Sequence, residues 1–154
     1  MVRVTGVSVL DIRKEFKKIQ LPIHNEHIKP QYYDPFRKRL ISITPEEKVR
    51  QKTAYYLRDV LKVPEHLIST EDHLSHYGID SKCRADIVIG EIRKNNKSPF
   101  AVIECKSEDV QISDQAFEQV ISYAFDLKAQ YALLCDGIDM LGFVYDDESE
   151  SYSP

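Results

Sequence analysis

Two apolar runs separated by a polar turn constrain this chain most. Arg84-Ala85-Asp86-Ile87-Val88-Ile89 is followed, after a short polar stretch, by Phe100-Ala101-Val102-Ile103-Glu104-Cys105-Lys106. Lys94-Asn95-Asn96-Lys97 between them is turn chemistry, so the two runs read as a hairpin. Alternate side chains of a strand share a face, which puts Glu104 and Lys106 on one side, about 6.6 Å apart at 3.3 Å per residue, and Cys105 on the other. Val102 shares the face of Glu104 and Lys106. With apolar residues on both faces, this strand is expected to be central and covered on both sides. Charges at the end of such a strand are costly unless they serve a purpose. A hairpin that brings Asp86 beside them gathers two carboxylates and an ammonium at one spot. That arrangement suits a divalent cation and a water next to a phosphate. From spacing alone, a structural ion pair is the alternative.

The remainder of the chain supplies a framework for that hairpin. At 154 residues it is expected to be one domain with a real core, and its 42% apolar and 30% charged content are ordinary for a soluble protein. No apolar run approaches a membrane span, and no secretory signal is read at the N-terminus. Cys83, Cys105 and Cys135 are odd in number and far apart. They read as reduced thiols of a cytoplasmic protein. Net charge is −4, but it is unevenly spread. Residues 1–50 hold 11 Lys and Arg against 6 Asp and Glu, and the rest hold 10 against 19. A basic N-terminal third could follow a phosphate backbone or simply be a solvated surface.

Along the chain, Leu10, Ile12, Phe16 and Ile19 predict a short helix over residues 8–19. Residues 22–39, with Pro22, Pro30 and Pro35 and the basic run Arg37-Lys38-Arg39, read as an irregular arm. Thr44, Pro45 and Glu47 form a capping-box signature for a helix carrying Val49, Thr53, Tyr56, Leu57 and Val60 on one face, ended by Pro64. Residues 66–78 read as a strand and loop. Ser113 caps a second helix to about Leu127, Tyr131–Cys135 is a buried strand, and Gly142–Tyr145 a short last one. The fold class is therefore α/β, a central mixed sheet flanked by helices. Its parts would be an N-terminal helix and basic arm (1–40), a core domain (41–147) and a flexible acidic tail (148–154). His73, His76 and Cys83 match no standard zinc spacing. No phosphate-cradling Gly-rich motif is present, so ATP is not expected as a ligand.

Asp86 followed by Glu104-Cys105-Lys106 resembles the Asp…(Asp/Glu)-x-Lys signature of the PD-(D/E)XK nuclease superfamily. Gln119-x-x-x-Tyr123 resembles the extra motif of its RecB-like and restriction branches. With Thr44 to Gln51, Arg84 to Val88 and the Phe117–Tyr123 helix in this order, the chain resembles, over roughly residues 32–145, the N-terminal nuclease domain of type I restriction enzyme R subunits. The resemblance implies a restriction-endonuclease-like core in αβββαβ order. It implies Mg²⁺, with Mn²⁺ as substitute, held by Asp86, Glu104 and the Cys105 backbone carbonyl. Lys106 would orient the attacking water. A Glu of the first helix would complete the site. Glu46 and Glu47 are both candidates: Glu47 is at the capping-box position, whereas Glu46 lies on the face expected to turn to the sheet. Gln119 and Tyr123, four apart on one helix face, would lie near the site. Arg84 could pair with Asp86 or reach a phosphate. DNA is the implied substrate of an endonuclease-like domain. Any translocase or specificity subunit would act in trans, since an R subunit continues into an ATP-driven translocase and this chain does not. A non-catalytic nucleic-acid-binding or assembly module of the same fold is the alternative.

Overall fold

The computed structural model describes residues 8–154, so the first seven residues of the expected arm lie outside it. The hairpin at its centre is longer than the apolar runs alone suggest. Strand β6 (Arg84–Arg93) and strand β7 (Asn96–Cys105) continue to a tight turn at Lys94-Asn95, both with positive φ, 49° and 65°. That backbone matches the twist of a two-residue hairpin. Ile87 lies opposite Ile103 and Val88 opposite Val102, and the register shifts at Ile89/Gly90. Glu104 is in the strand, and Lys106 lies one residue beyond its end.

Strand β7 is central. On one side it pairs antiparallel with β6, and β5 (Ile68–His73) follows at the edge. On the other side it pairs parallel with β8 (Tyr131–Cys135), after the crossover helix α3 (Asp114–Leu127). Strand β9 (Asp139–Asp146) and the short β1 (Ser8–Asp11) complete the order β1-β9-β8-β7-β6-β5. The sheet is mixed, and its class is α/β as expected.

Helix α2 (Pro45–Asp59) covers one face. Its Val49, Ala54, Tyr56 and Leu57 pack with Ile87, Ile89, Ile103 and Cys105. Helix α3 covers the other face through Val120, Ala124 and Leu127, against Val88, Val102 and Ala132. Central strands buried on both faces explain the unbroken apolar runs. Both helices begin as the sequence signals. The Thr44 hydroxyl accepts from the Glu47 N–H (3.0 Å) and Ser113 from the Ala116 N–H (3.3 Å). Between residues 45 and 135 the longer elements run helix, three strands, helix, strand.

Three expectations are corrected. Residues 8–19 are not one helix: β1 pairs with β9, and only Arg13–Lys18 is helical, as α1. The Asp11 carboxylate accepts from the Arg13 N–H at this junction, separating strand from helix. The irregular arm is a three-stranded antiparallel sheet, β2 (Ile23–His24), β3 (Gln31–Asp34) and β4 (Arg39–Ser42). Its prolines sit just outside the strands, as proline's missing donor requires. The acidic stretch expected to be a flexible tail is a turn closed by the Asp146 carboxylate, which accepts from Ser149. Beyond it β10 (Ser151–Ser153) returns onto β9. Among the described residues no helix is long and apolar enough to cross a membrane.

Candidate functional site

The register that sets Ile87 against Ile103 brings Asp86 opposite Glu104 one step further on. There the two side chains take over from the backbone ladder. Asp86 N–H donates to Glu104 Oε1 (3.3 Å), and Cys105 N–H donates to Asp86 Oδ2 (2.7 Å). Both carboxylates are buried, at 6% and 3% exposure. Face alternation also breaks here. Ala85 packs in the cluster beneath α3, whereas Ile87 packs beneath α2. Strict alternation would put both on one face, so the Asp86 carboxylate is free to turn toward α2.

The third strand contributes an acid at the same level. In the β5–β6 ladder Thr70 faces Ile87 and Asp72 faces Ala85, which leaves Glu71 across from Asp86. Glu71 has φ 49°, a left-handed conformation inside a strand that non-glycine residues rarely adopt. Glu71, Asp86 and Glu104 thus form a row across β5, β6 and β7.

Arg50 of α2 reaches this row from above. Its Nη2 lies 2.7 Å from Asp86 Oδ1, 2.8 Å from Glu71 Oε1 and 3.1 Å from Glu46 Oε1. Its Nη1 pairs with Glu47. Arg50 is itself buried, with Nε unsatisfied. It is held against desolvation by Asp86, Glu47 and Glu71, which keep its guanidinium charged. Among the described residues Glu104 makes no ion pair, and the opposing charge of Lys106 is the weakest influence on it. Burial first, then the charge of Asp86, push its pKa up to about 9.

The two helix glutamates part company. Glu46 is half-exposed and faces the site: burial and then Asp86 raise its pKa, with Arg50 and Lys106 opposing. The Glu47 side chain does not fold back on its own cap. It accepts from Arg37, Arg50 and Gln51 inside the domain. That network continues to Asp34 at the end of β3, which is fully buried and accepts from Arg37, Gln51 and Thr70.

Lys106, half-buried, is anchored by its N–H to the Cys135 carbonyl (2.8 Å) and acts electrostatically on Glu104 and Glu46. Gln119 Nε2 donates to the Tyr123 hydroxyl (2.9 Å). Burial raises the Tyr123 pKa, and Cys83 and Glu104 are among the groups that raise it further. Arg84 is exposed and pairs with Glu71 Oε2 (3.3 Å) instead of Asp86. The Cys105 thiol is fully buried in the cluster beneath α2.

Sequence reading missed Arg50, Glu71 and Asp34. For Arg50 a signal exists, since it stands four residues after Glu46 and three after Glu47 on one helix face. For Glu71 and Asp34 none does, because their roles follow from strand register.

The donor chemistry fits a hard divalent cation. Asp86 and Glu104 present adjacent carboxylate oxygens, and a cation in place of the Glu104 proton would relieve the burial that raises its pKa. The side of Asp86 that faces α2 is filled by Arg50. Among the described residues no three His, Cys, Asp or Glu side chains converge as a ready cage.

The family model for the type I restriction enzyme R protein N terminus matches residues 45–154. A search of curated proteins gave no match.

Proposed function

Because the chain belongs to the family of type I restriction enzyme R protein N termini, we propose that it is a Mg²⁺-dependent DNA endonuclease domain with a restriction-endonuclease-like core. The observation that carries this reading is the contact of Asp86 with Glu104 at the end of a central hairpin, with Lys106 two residues after Glu104. The helix, three strands, helix, strand order supports the fold assignment.

In this reading Asp86 and Glu104 hold the cation, with the Cys105 carbonyl as a third oxygen and Glu46 the helix contribution. A bound Mg²⁺ would polarise the scissile phosphate and acidify a coordinated water. The Cys105 N–H fixes one Asp86 oxygen, which orients the other. Glu104, whose burial and acidic neighbour favour the protonated carboxyl, would hold the ion as a carboxylate, its proton released to solvent. Lys106, fixed at its backbone by the neighbouring strand, keeps an ammonium beside the carboxylates, where it orients the water and stabilises charge on the phosphate. Gln119 and Tyr123, locked to each other, line the α3 side, and Arg84 offers an exposed guanidinium to the DNA backbone. Partner subunits of a restriction system would supply target recognition and translocation.

Plasmid nicking in Mg²⁺ tests this. Lys106→Ala and Glu104→Ala are expected to lose at least about 100-fold in rate. Wild type and both variants cutting equally would refute the assignment. The competing reading, a non-catalytic nucleic-acid-binding module, is favoured by one observation, the Arg50–Asp86 pair. It requires salt-sensitive DNA binding that ignores both metal and these substitutions.

A further inference from the structure

We propose that Arg50 is an internal counter-cation that competes with the divalent ion for Asp86 and thereby sets the metal affinity of the site. This inference rests on the reading of Asp86 and Glu104 as metal ligands, and it adds a residue that the nuclease signature does not contain.

The geometry is specific. A single guanidinium nitrogen, Nη2, lies within 3.1 Å of carboxylate oxygens from α2, β5 and β6: Glu46, Glu71 and Asp86. Three carboxylate oxygens from three elements thus share one positive centre, and that centre is supplied by the chain itself. The side chain is buried, and one of its donors, Nε, finds no acceptor, so it is placed for charge and not for a complete set of hydrogen bonds. Its position is also supported from behind. Glu47 takes the other terminal nitrogen, and Arg37 and Gln51 hold Glu47. A left-handed residue brings Glu71 to it across the edge of the sheet.

A unit positive charge against Asp86 opposes a second cation there, and the opposition is strong because the site is buried. Occupation by a divalent ion therefore requires Arg50 to withdraw from Asp86 Oδ1 or to share it. Glu47, on the other terminal nitrogen, gives it a place to stay, whereas Glu71 holds the same nitrogen in the acid row. In the absence of metal Arg50 keeps these three converging acids from repelling one another.

Mn²⁺ binding by calorimetry, with thermal unfolding in parallel, tests this on the full chain without DNA. Arg50→Gln is expected to bind Mn²⁺ at least ten-fold more tightly than wild type. Its Tm should fall in EDTA and recover with Mn²⁺ by a larger shift than wild type shows. Arg50→Lys keeps the charge and is expected to stay within a few-fold of wild type. Glu71→Gln, which removes one anchor of Arg50, covers the case in which Arg50→Gln does not fold, and is expected to tighten Mn²⁺ binding. Affinity unchanged or weaker in Arg50→Gln, or unchanged or weaker in Glu71→Gln when Arg50→Gln cannot fold, overturns the competition. Asp86→Asn separates the two levels. If wild-type binding survives Asp86→Asn, the metal-site reading itself fails. If Asp86→Asn abolishes binding while the Arg50 and Glu71 variants leave it unchanged, only the role of Arg50 fails.

Discussion

Asp34 and Glu104 are equally withdrawn from water, at 0% and 3% exposure, yet among the described residues five hydrogen bonds converge on the first and one on the second. Asp34 takes the N–H groups of Phe36 and Arg37, the Arg37 guanidinium, the Gln51 amide and the Thr70 hydroxyl. Burial pushes its pKa up, but the bonds from Thr70 and Arg37 outweigh it, and the net shift is downward. Glu104 has burial and a neighbouring acid and little to offset them, so its pKa rises to about 9. The first carboxylate is completed by the protein and joins β3, α2 and β5. The second is left incomplete, as a group intended for an external cation would be.

The largest difference should appear on truncation. Asp34→Ala strands the Arg37 guanidinium and the Gln51 and Thr70 side chains, and is expected to cost about 3–5 kcal/mol in urea unfolding. Glu104→Gln replaces an already protonated acid with an amide of similar shape. It is expected to change stability by no more than about 1 kcal/mol while Mn²⁺ binding is lost. Equal stability losses in the two variants would erase the distinction between scaffold and site.

The finer test is pH. The raised pKa of Glu104 means that the folded state holds a proton more tightly than the unfolded chain. Metal-free stability should then fall as pH rises from about 4.5 to about 9. Glu46, shifted in the same direction, adds to that slope. Asp34 works in the opposite sense: its contribution is present above its ordinary value of 3.8 and is lost as pH falls below it. Urea midpoints across pH in EDTA should show both limbs, with the alkaline one flattened in Glu104→Gln.

The same contrast explains what the sequence makes legible. Asp86, Glu104 and Lys106 can be placed together because the hairpin is long and its period of two fixes which residues meet. Helices α2 and α3 carry their caps in Thr44 and Ser113 and a helical apolar period. The small sheet around Asp34 has strands of two to four residues, too short for any period to register. Its prolines read as interruptions although they are boundaries. Strand β1 hides inside an apparent helical pattern because Leu10 and Ile12 suit either period. Glu71 could not be found at all: its place opposite Asp86 depends on β5 register and on a left-handed residue that no local signal demands. Arg50 lay within the capped helix, but its partners on β5 and β6 come from tertiary packing.

The most direct measurement is anomalous diffraction from crystals soaked in Mn²⁺. A peak in contact with carboxylate oxygens of both Asp86 and Glu104, absent from Asp86→Asn crystals, is the result expected here. Well-ordered carboxylates with Arg50 still seated on Asp86 and no peak between them at saturating Mn²⁺ would contradict a metal-dependent nuclease site.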